Sequence, residues 1–485
     1  MKQFLFMAGM MLVGGCAALA APFWGVFLYY SFATLRPQHL WDWALQDTPF
    51  IRWSLLAGVI AIVVFFIHLS TILRTVRTNK IVGMLIVYAM LITLSVLTAF
   101  NPKIAQYWFE EYAKVIALAV IAALVIQHFW QIRILLWMIA LSLGYIAFEI
   151  NHMYITQGGR LDILHQGYGG LDNNGAGALI ALGLPFTYLL AVSRVGRWVT
   201  LRRVLGALLA LAILHAVMMT YSRGAMLAAS VGLVWLLIHH RPRIQTALVA
   251  LALVFAINMM AGQEIRDRFT STAEFQTDES AQSRLDSWAA SWKMIWNRPM
   301  LGYGPRNSNN YTHNFGADIA GRTTHNQYLQ IAADSGIPAA ALYISMLGIG
   351  FYMVNRSRRR CLNARAAWQP DLDDEQRARL DEGAAICLSI QTSLLMFSVS
   401  AMFLSVELVE LPWLLLVLGG ITPGIINGWL ELVSEEVGQE IPDAPRPPKR
   451  FGPAQADTAP STGDTDEQGR PVKPGHTTAP PRKAA

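Results

Sequence analysis

Charge is scarce in this 485-residue sequence. Asp, Glu, Lys and Arg make up 14% of it, against about 25% in a soluble domain. That excludes an ordinary cytosolic enzyme. Cysteine is scarcer still. Cys16 lies in an apolar run, Cys361 in a basic loop and Cys387 in a late apolar run. Three such residues cannot build a disulfide framework, so this is no secreted disulfide scaffold. No GxxxxGKS/T phosphate loop is present, which excludes nucleotide hydrolysis of that type. With no HExxH and no CxxC, spacing supports no metal site, and His313 and His325 do not change that. No serine sits in a nucleophile elbow. Neither metal nor cofactor is expected.

What the chain does have is apolar residues, 54% of the total, gathered in long runs. A spanning helix needs about 20 of them. That criterion places about twelve spans, near 4–32, 53–71, 81–100, 113–127, 134–150, 173–193, 204–220, 222–238, 244–261, 336–354, 384–406 and 409–430. The expected fold is an all-α polytopic membrane protein. The first run is overlong and contains Pro22, so it reads as one kinked helix or two short ones. Leu12-Val13-Gly14-Gly15-Cys16 behind Lys2 has the form of a bacterial lipoprotein cleavage site, but the run continues to about Phe32, as a first spanning helix does.

The net charge of +6 sits in short loops between apolar runs. It therefore reports topology, not nucleic-acid binding. Arg74, Arg77 and Lys80; Arg194, Arg197, Arg202 and Arg203; Arg241 and Arg243; and Arg356, Arg358, Arg359 and Arg360 all fall on one side. By the positive-inside rule that side is cytoplasmic, and with these spans both termini join it. The other face, periplasmic in a bacterial inner membrane, receives 33–52, 101–112, 151–172, the turn Thr220–Ser222, the turn around Glu407 and the long segment 262–335. Loops of that length are usually functional. Two regions result: a membrane domain over 1–433, and a cytoplasmic tail over 434–485. The tail carries nearly half of the 22 prolines and too little apolar surface to order itself.

Polar chemistry gathers on the face opposite the basic loops, in three clusters. Tyr221-Ser222-Arg223-Gly224-Ala225 opens the eighth span. Arg223 is a lone cation there, at a helix N-terminus whose backbone N–H groups also favour an anion. An arginine can grip phosphate through two parallel hydrogen bonds. An interfacial Arg snorkelling to lipid headgroups answers the same position. In the second cluster, Ser283-Arg284-Leu285-Asp286-Ser287-Trp288, the residues Arg284, Trp288, Trp292 and Trp296 recur every four positions. They share a face, as in an amphipathic helix lying in the interface. Pro299 ends it, and a Gly/Pro-rich turn through Tyr303 follows. The third, Thr323-Thr324-His325-Asn326-Gln327-Tyr328-Leu329, leads into an apolar run with Asp334, Gly336 and Pro338. Its histidine suits general acid–base work, although a lone His is more often structural. Lesser candidates on that face are His152, Arg160, His165, Asp172, Asn173 and Asn174. Glu407 and Glu410 stand at the last turn, where one of them could orient His325 or pair with an Arg. Two arginines and a histidine beside a hydrophobic bundle suit a ligand with a lipid tail and a phosphate or pyrophosphate head. The arginines would hold the leaving group, and the histidine would take a proton from an attacking hydroxyl.

In this order, Tyr221–Ala225, Arg284 with Trp288, Pro299-Met300-Leu301-Gly302-Tyr303-Gly304 and His325–Leu329 resemble the O-antigen ligase and polymerase superfamily of bacterial envelope glycosyltransferases. The N-terminal Tyr29–Leu40 looks like a subgroup of putative O-glycosylation ligases associated with exosortase-type sorting systems. The resemblance implies a GT-C-like enzyme that works without a metal. It would move a glycan from undecaprenyl pyrophosphate to an acceptor hydroxyl, on a lipid A core glycolipid or a protein, at the periplasmic face. It also implies catalytic roles for Arg223, Arg284 and His325, with Ser222, Asn326, Tyr303, Asn173 and Asn174 as further binding positions. A repeat-unit polymerase and a protein O-oligosaccharyltransferase share these motifs. A transporter of lipid-linked glycans is the rival from another class. It calls for charges along a path through the bundle, and only Glu149 and His215 stand out inside the spans.

Overall fold

In lipid every backbone polar group needs an internal partner, so long apolar runs become helices. The computed structural model describes residues 2–41, 52–75, 79–156, 163, 167–239, 279–317, 321–369 and 371–441, with no β-strand among them. The main helices are α1 (Lys2–Ala20), α2 (Pro22–Leu35), α3 (Trp53–Ile67), α4 (Lys80–Leu97), α5 (Pro102–Val125), α6 (Phe129–Thr156), α7 (Asn173–Ala181), α8 (Leu184–Val192), α9 (Val199–Met219), α10 (Arg223–His239), α11 (Glu279–Asn297), α12 (Gln327–Ala367), α13 (Asp374–Ser400) and α14 (Glu410–Val437). Eight helical segments here are long and apolar enough to cross a membrane, α7 and α8 counting as one, and α3 and α10 are shorter apolar helices. The protein is an all-α polytopic membrane protein. The expected span at 244–261 lies outside the described residues, as do 442–485. The boundary expected at 433/434 falls within α14.

The first apolar run is two helices, not one. Ala21 is extended, and Pro22 stands at the first position of α2, where its missing N–H costs nothing. The two helices fold back on each other, with Leu28 over Gly14 and Gly25 against Ala18. The chain therefore reverses direction at Ala21–Pro22. Phe6 packs on Trp41 at 6.0 Å, and Trp41 on Tyr145 in the second half of α6. The hairpin turn lies at the other end, where Phe23 meets Trp130 at 5.1 Å. The last helix finishes at that same end, where Trp429 stacks on Phe129 at 4.9 Å.

One end of the bundle is basic. Lys80, Arg133, Val195 and Arg379 line one cavity there, Arg202 donates to Val195 O at 2.7 Å, and Arg360 donates to Asn427 at 2.8 Å. The site lies at the other end.

Helix α12 is broken at Gly336 (φ 87°, ψ 166°), two residues before Pro338. The freed backbone groups are taken up by the segment 299–304. Tyr303 N–H donates to Ala333 O at 2.9 Å, Gly304 N–H to Asp334 O at 2.8 Å, and Ile337 N–H to Pro299 O at 2.8 Å. Gly302 (φ 63°) and Gly336 both need backbone that only glycine adopts freely. A Cβ on either would run into the other strand of this interlock. Non-helical backbone at this depth is tolerated because protein covers it.

Candidate active site

Three capped helix starts converge at the end opposite the basic loops. The side chain of Asp172 caps α7, accepting Gly175 N–H at 2.7 Å. Asn173 donates to Thr220 O at 3.1 Å, and Ser222 Oγ donates to Asn174 Oδ1 at 2.8 Å. The same Ser222 Oγ accepts Ala225 N–H at 3.3 Å, which fixes the start of α10 and sets Arg223 at its first position. Thus Asn173, Asn174, Ser222 and Arg223 form one polar corner. Gly224 packs on Phe403 of the turn 401–409.

The third start is α12. Asn326 accepts the N–H groups of Tyr328 and Leu329, each at 3.1 Å. His325 precedes it with φ 49°, an uncommon conformation for a residue with a side chain. Helix α11 lies against this loop: Trp288 Nε1 donates to Thr324 O at 3.0 Å, and Ser291 and Thr324 share a hydroxyl hydrogen bond at 3.1 Å. Arg284, one turn before Trp288, thereby comes within electrostatic reach of His325. Burial pushes the His325 imidazole below its usual pKa; Arg284, Arg322 and Arg306 push the same way, and Asp172 opposes them. The neutral imidazole, the form that can accept a proton, is favoured. Asp172 ties the α7–α10 corner to this loop.

The expected Trp stripe splits. Trp288 turns in to Thr324, while Trp292 and Trp296 are exposed and pack edge to face at 5.9 Å, as interfacial rings do. Two expected binding residues are occupied within the fold. Asn326 spends its side-chain oxygen on the cap. Tyr303 is buried, and its hydroxyl donates to Asn297 at 2.9 Å. Arg160 and His165 lie outside the described residues. Glu149 accepts from the Tyr145 hydroxyl at 2.5 Å, and His215 pairs with Asn151. Among the described residues no three His, Cys, Asp or Glu side chains group as metal ligands.

Arg306 was missed by sequence reasoning. It bridges to Glu407 at 3.2 Å, with the Arg side chain 17% exposed and the carboxylate fully buried. Its guanidinium lies over Trp108 at 5.3 Å. Burial pushes the Glu407 carboxyl above its ordinary range, and the Arg306 charge opposes this. Beside the pair, the buried Asp334 accepts Ser308 N–H at 2.9 Å and the Gln330 amide at 2.6 Å. An acidic residue inside the apolar run 331–340 was the available signal. Of the two roles expected for the last turn, Glu407 takes the pairing with an Arg, and the partner is Arg306.

Residues 207–344 match the family model described as O-antigen ligase. Residues 1–175 match a family of unknown function. No curated protein matches the chain. Arg223, Arg284, Arg306 and His325 fall in the first match, and Asp172, Asn173 and Asn174 in the second.

Proposed function

With residues 207–344 an O-antigen ligase domain, we propose that the protein transfers a glycan from undecaprenyl pyrophosphate to an acceptor hydroxyl, in the manner of a ligase. The observation that carries this is the His325 loop at the start of α12, held against α11 by Trp288 and Ser291, with Arg284 and Asp172 in electrostatic reach of its imidazole. The imidazole takes the proton of the acceptor hydroxyl as its oxygen attacks the anomeric carbon. The bond from that carbon to the pyrophosphate oxygen breaks, and the leaving group departs with the electron pair. Arg284 and Arg223 stabilise its growing negative charge, with the dipole ends of α7, α10 and α12 adding to the field. Asp172 steadies the imidazolium that forms. The acceptor hydroxyl belongs to a lipid A core glycolipid or to a protein, and the reaction face is periplasmic in a bacterial inner membrane. The basic loops at the other end support that orientation by the positive-inside rule.

The test is the glycan length on undecaprenyl pyrophosphate in cells carrying His325→Ala. Long polymerised chains stranded on the lipid are expected. Single repeat units would make the protein a polymerase instead. No accumulation would overturn the lipid-linked donor.

A further inference from the structure

A cavity of about 1070 Å³ opens at the basic end of the bundle, far from His325. Its volume reaches the upper limit of small-molecule sites. One part of its wall is apolar, with Ile81, Met84, Met346, Ile349, Met353 and Ile421. Water does not fill such a surface readily, and the bilayer beside it supplies acyl chains. The other part is polar, with Asn79, Lys80, Gln127, His128, Arg133 and Asn427. An occupant must therefore be an amphiphile.

The charge at the polar end leans positive. Arg133 bridges to the buried Glu382 at 3.2 Å. The same carboxylate accepts from Ser193 Oγ at 2.5 Å, and Ser193 Oγ in turn accepts from Arg202 at 3.4 Å. Both guanidiniums flank the Trp137 ring, at 5.8 and 5.1 Å. Among the side chains lining the cavity, Lys80, Arg133 and Arg379 outnumber Glu375 and Glu382. Arg379 and Glu375 pair with each other, and Arg360 reaches Asn427. Lys80 adds an exposed ammonium at the start of α4, where the helix dipole is also positive.

We propose that this cavity holds one anionic phospholipid from the adjacent leaflet, its phosphate against Lys80 and Arg133 and its chains along α4, α12 and α14. Basic pockets between spanning helices hold acidic lipid headgroups by the same physics. The site is separate from glycan transfer and does not depend on the function proposed above.

The full chain, reconstituted in nanodiscs of equal phosphatidylethanolamine and phosphatidylglycerol, is released for native mass spectrometry. One retained phospholipid per chain is expected, with phosphatidylglycerol enriched several-fold over its share. Lys80→Glu should abolish the enrichment, and Ile349→Trp should abolish retention by filling the apolar wall. Lys80 is exposed and Ile349 is 48% exposed, so both variants should fold. Equal retention of the two lipids, enrichment that survives Lys80→Glu, or retention that survives Ile349→Trp would each overturn the proposal.

Discussion

Replacing Glu407 by Gln should destabilise the protein far more than removing a surface charge does. The Glu407 carboxylate is fully enclosed and its cationic partner Arg306 is 17% exposed. Removing one member of such a buried pair costs about 3–5 kcal/mol, because the other charge stays desolvated and unpaired. At roughly 2 °C per kcal/mol for a large chain, the thermal midpoint in detergent should fall by about 6–10 °C. Arg306→Met behaves differently with pH. Glu407, already pushed up by burial, then loses the charge that held it down. A carboxyl with a raised folded-state pKa favours the folded state below its unfolded pKa, and that contribution is lost as pH rises through the folded value. The loss in Arg306→Met should therefore be smaller at acidic pH than at alkaline pH, and that in Glu407→Gln should not follow this trend. The double variant Arg306→Met/Glu407→Gln removes both charges and leaves none stranded, so it should cost less than either single change. If the double variant loses the sum of the two singles, the pair is not coupled and this reasoning fails.

Because His325 is held below its usual pKa, the acidic limb of the transfer rate should lie below about 6.5, the ordinary histidine value. Arg322→Gln should raise that limb and Asp172→Asn should lower it; a pH–rate profile unmoved by both would refute the assignment. The same depressed pKa makes stability fall as pH drops from about 6.5 towards the folded value, since the unfolded chain then binds more protons. Gly336→Ala should sharply reduce the monodisperse fraction in size-exclusion chromatography. Its φ of 87° is strained for any side chain by about 1–3 kcal/mol, and its Cβ would strike the Met300 carbonyl. Gly348→Ala in the same helix meets nothing within 4 Å and should stabilise by about 0.5–1 kcal/mol. Trp288→Phe removes the hydrogen bond to Thr324, worth about 1 kcal/mol, and part of the ring that packs there, and it should slow transfer by loosening Arg284 from His325; Trp292→Phe, on the exposed side, should leave the rate unchanged.

Much of the fold was legible because apolar runs and basic loops are the physics of the bilayer itself. The failures occurred where hydropathy and backbone part company. Helix α5 begins at Pro102, well before the apolar stretch expected at 113–127, because Asn101 caps it and its polar first turns lie outside any hydropathy window. Helix α13 ends at Ser400 although 401–406 remains largely apolar. That turn is buried by its neighbours, with Gln327 N–H donating to Ala401 O at 2.8 Å and Val406 N–H to the Gln327 side chain at 2.8 Å. Pro22 was ambiguous for a local reason: a proline kinks a helix or starts a new one, and only the packing of Leu28 over Gly14 distinguishes the two.

The site was legible in its parts but not in how they join. Asp172, Ser222 and Asn326 stood out in the sequence only as polar residues near span ends; the structure makes each a helix cap, and a cap says nothing about what the neighbouring helix does. Their convergence is set by tertiary packing, which brings the positive dipole ends of α7, α10 and α12 to one place. That convergence brings Arg284 and Asp172 into the field at His325, with Arg223 at the start of α10. It also explains why Asp172, from the match of unknown function, faces His325, from the O-antigen ligase match. The 207–344 segment alone lacks the one carboxylate that opposes three arginines at the imidazole. It also lacks Asn173 and Asn174, which hold Thr220 and Ser222 ahead of Arg223. The N-terminal region therefore contributes to the candidate site, and separating it from residues 207–344 should remove the placement of Arg223 together with the pKa balance of His325.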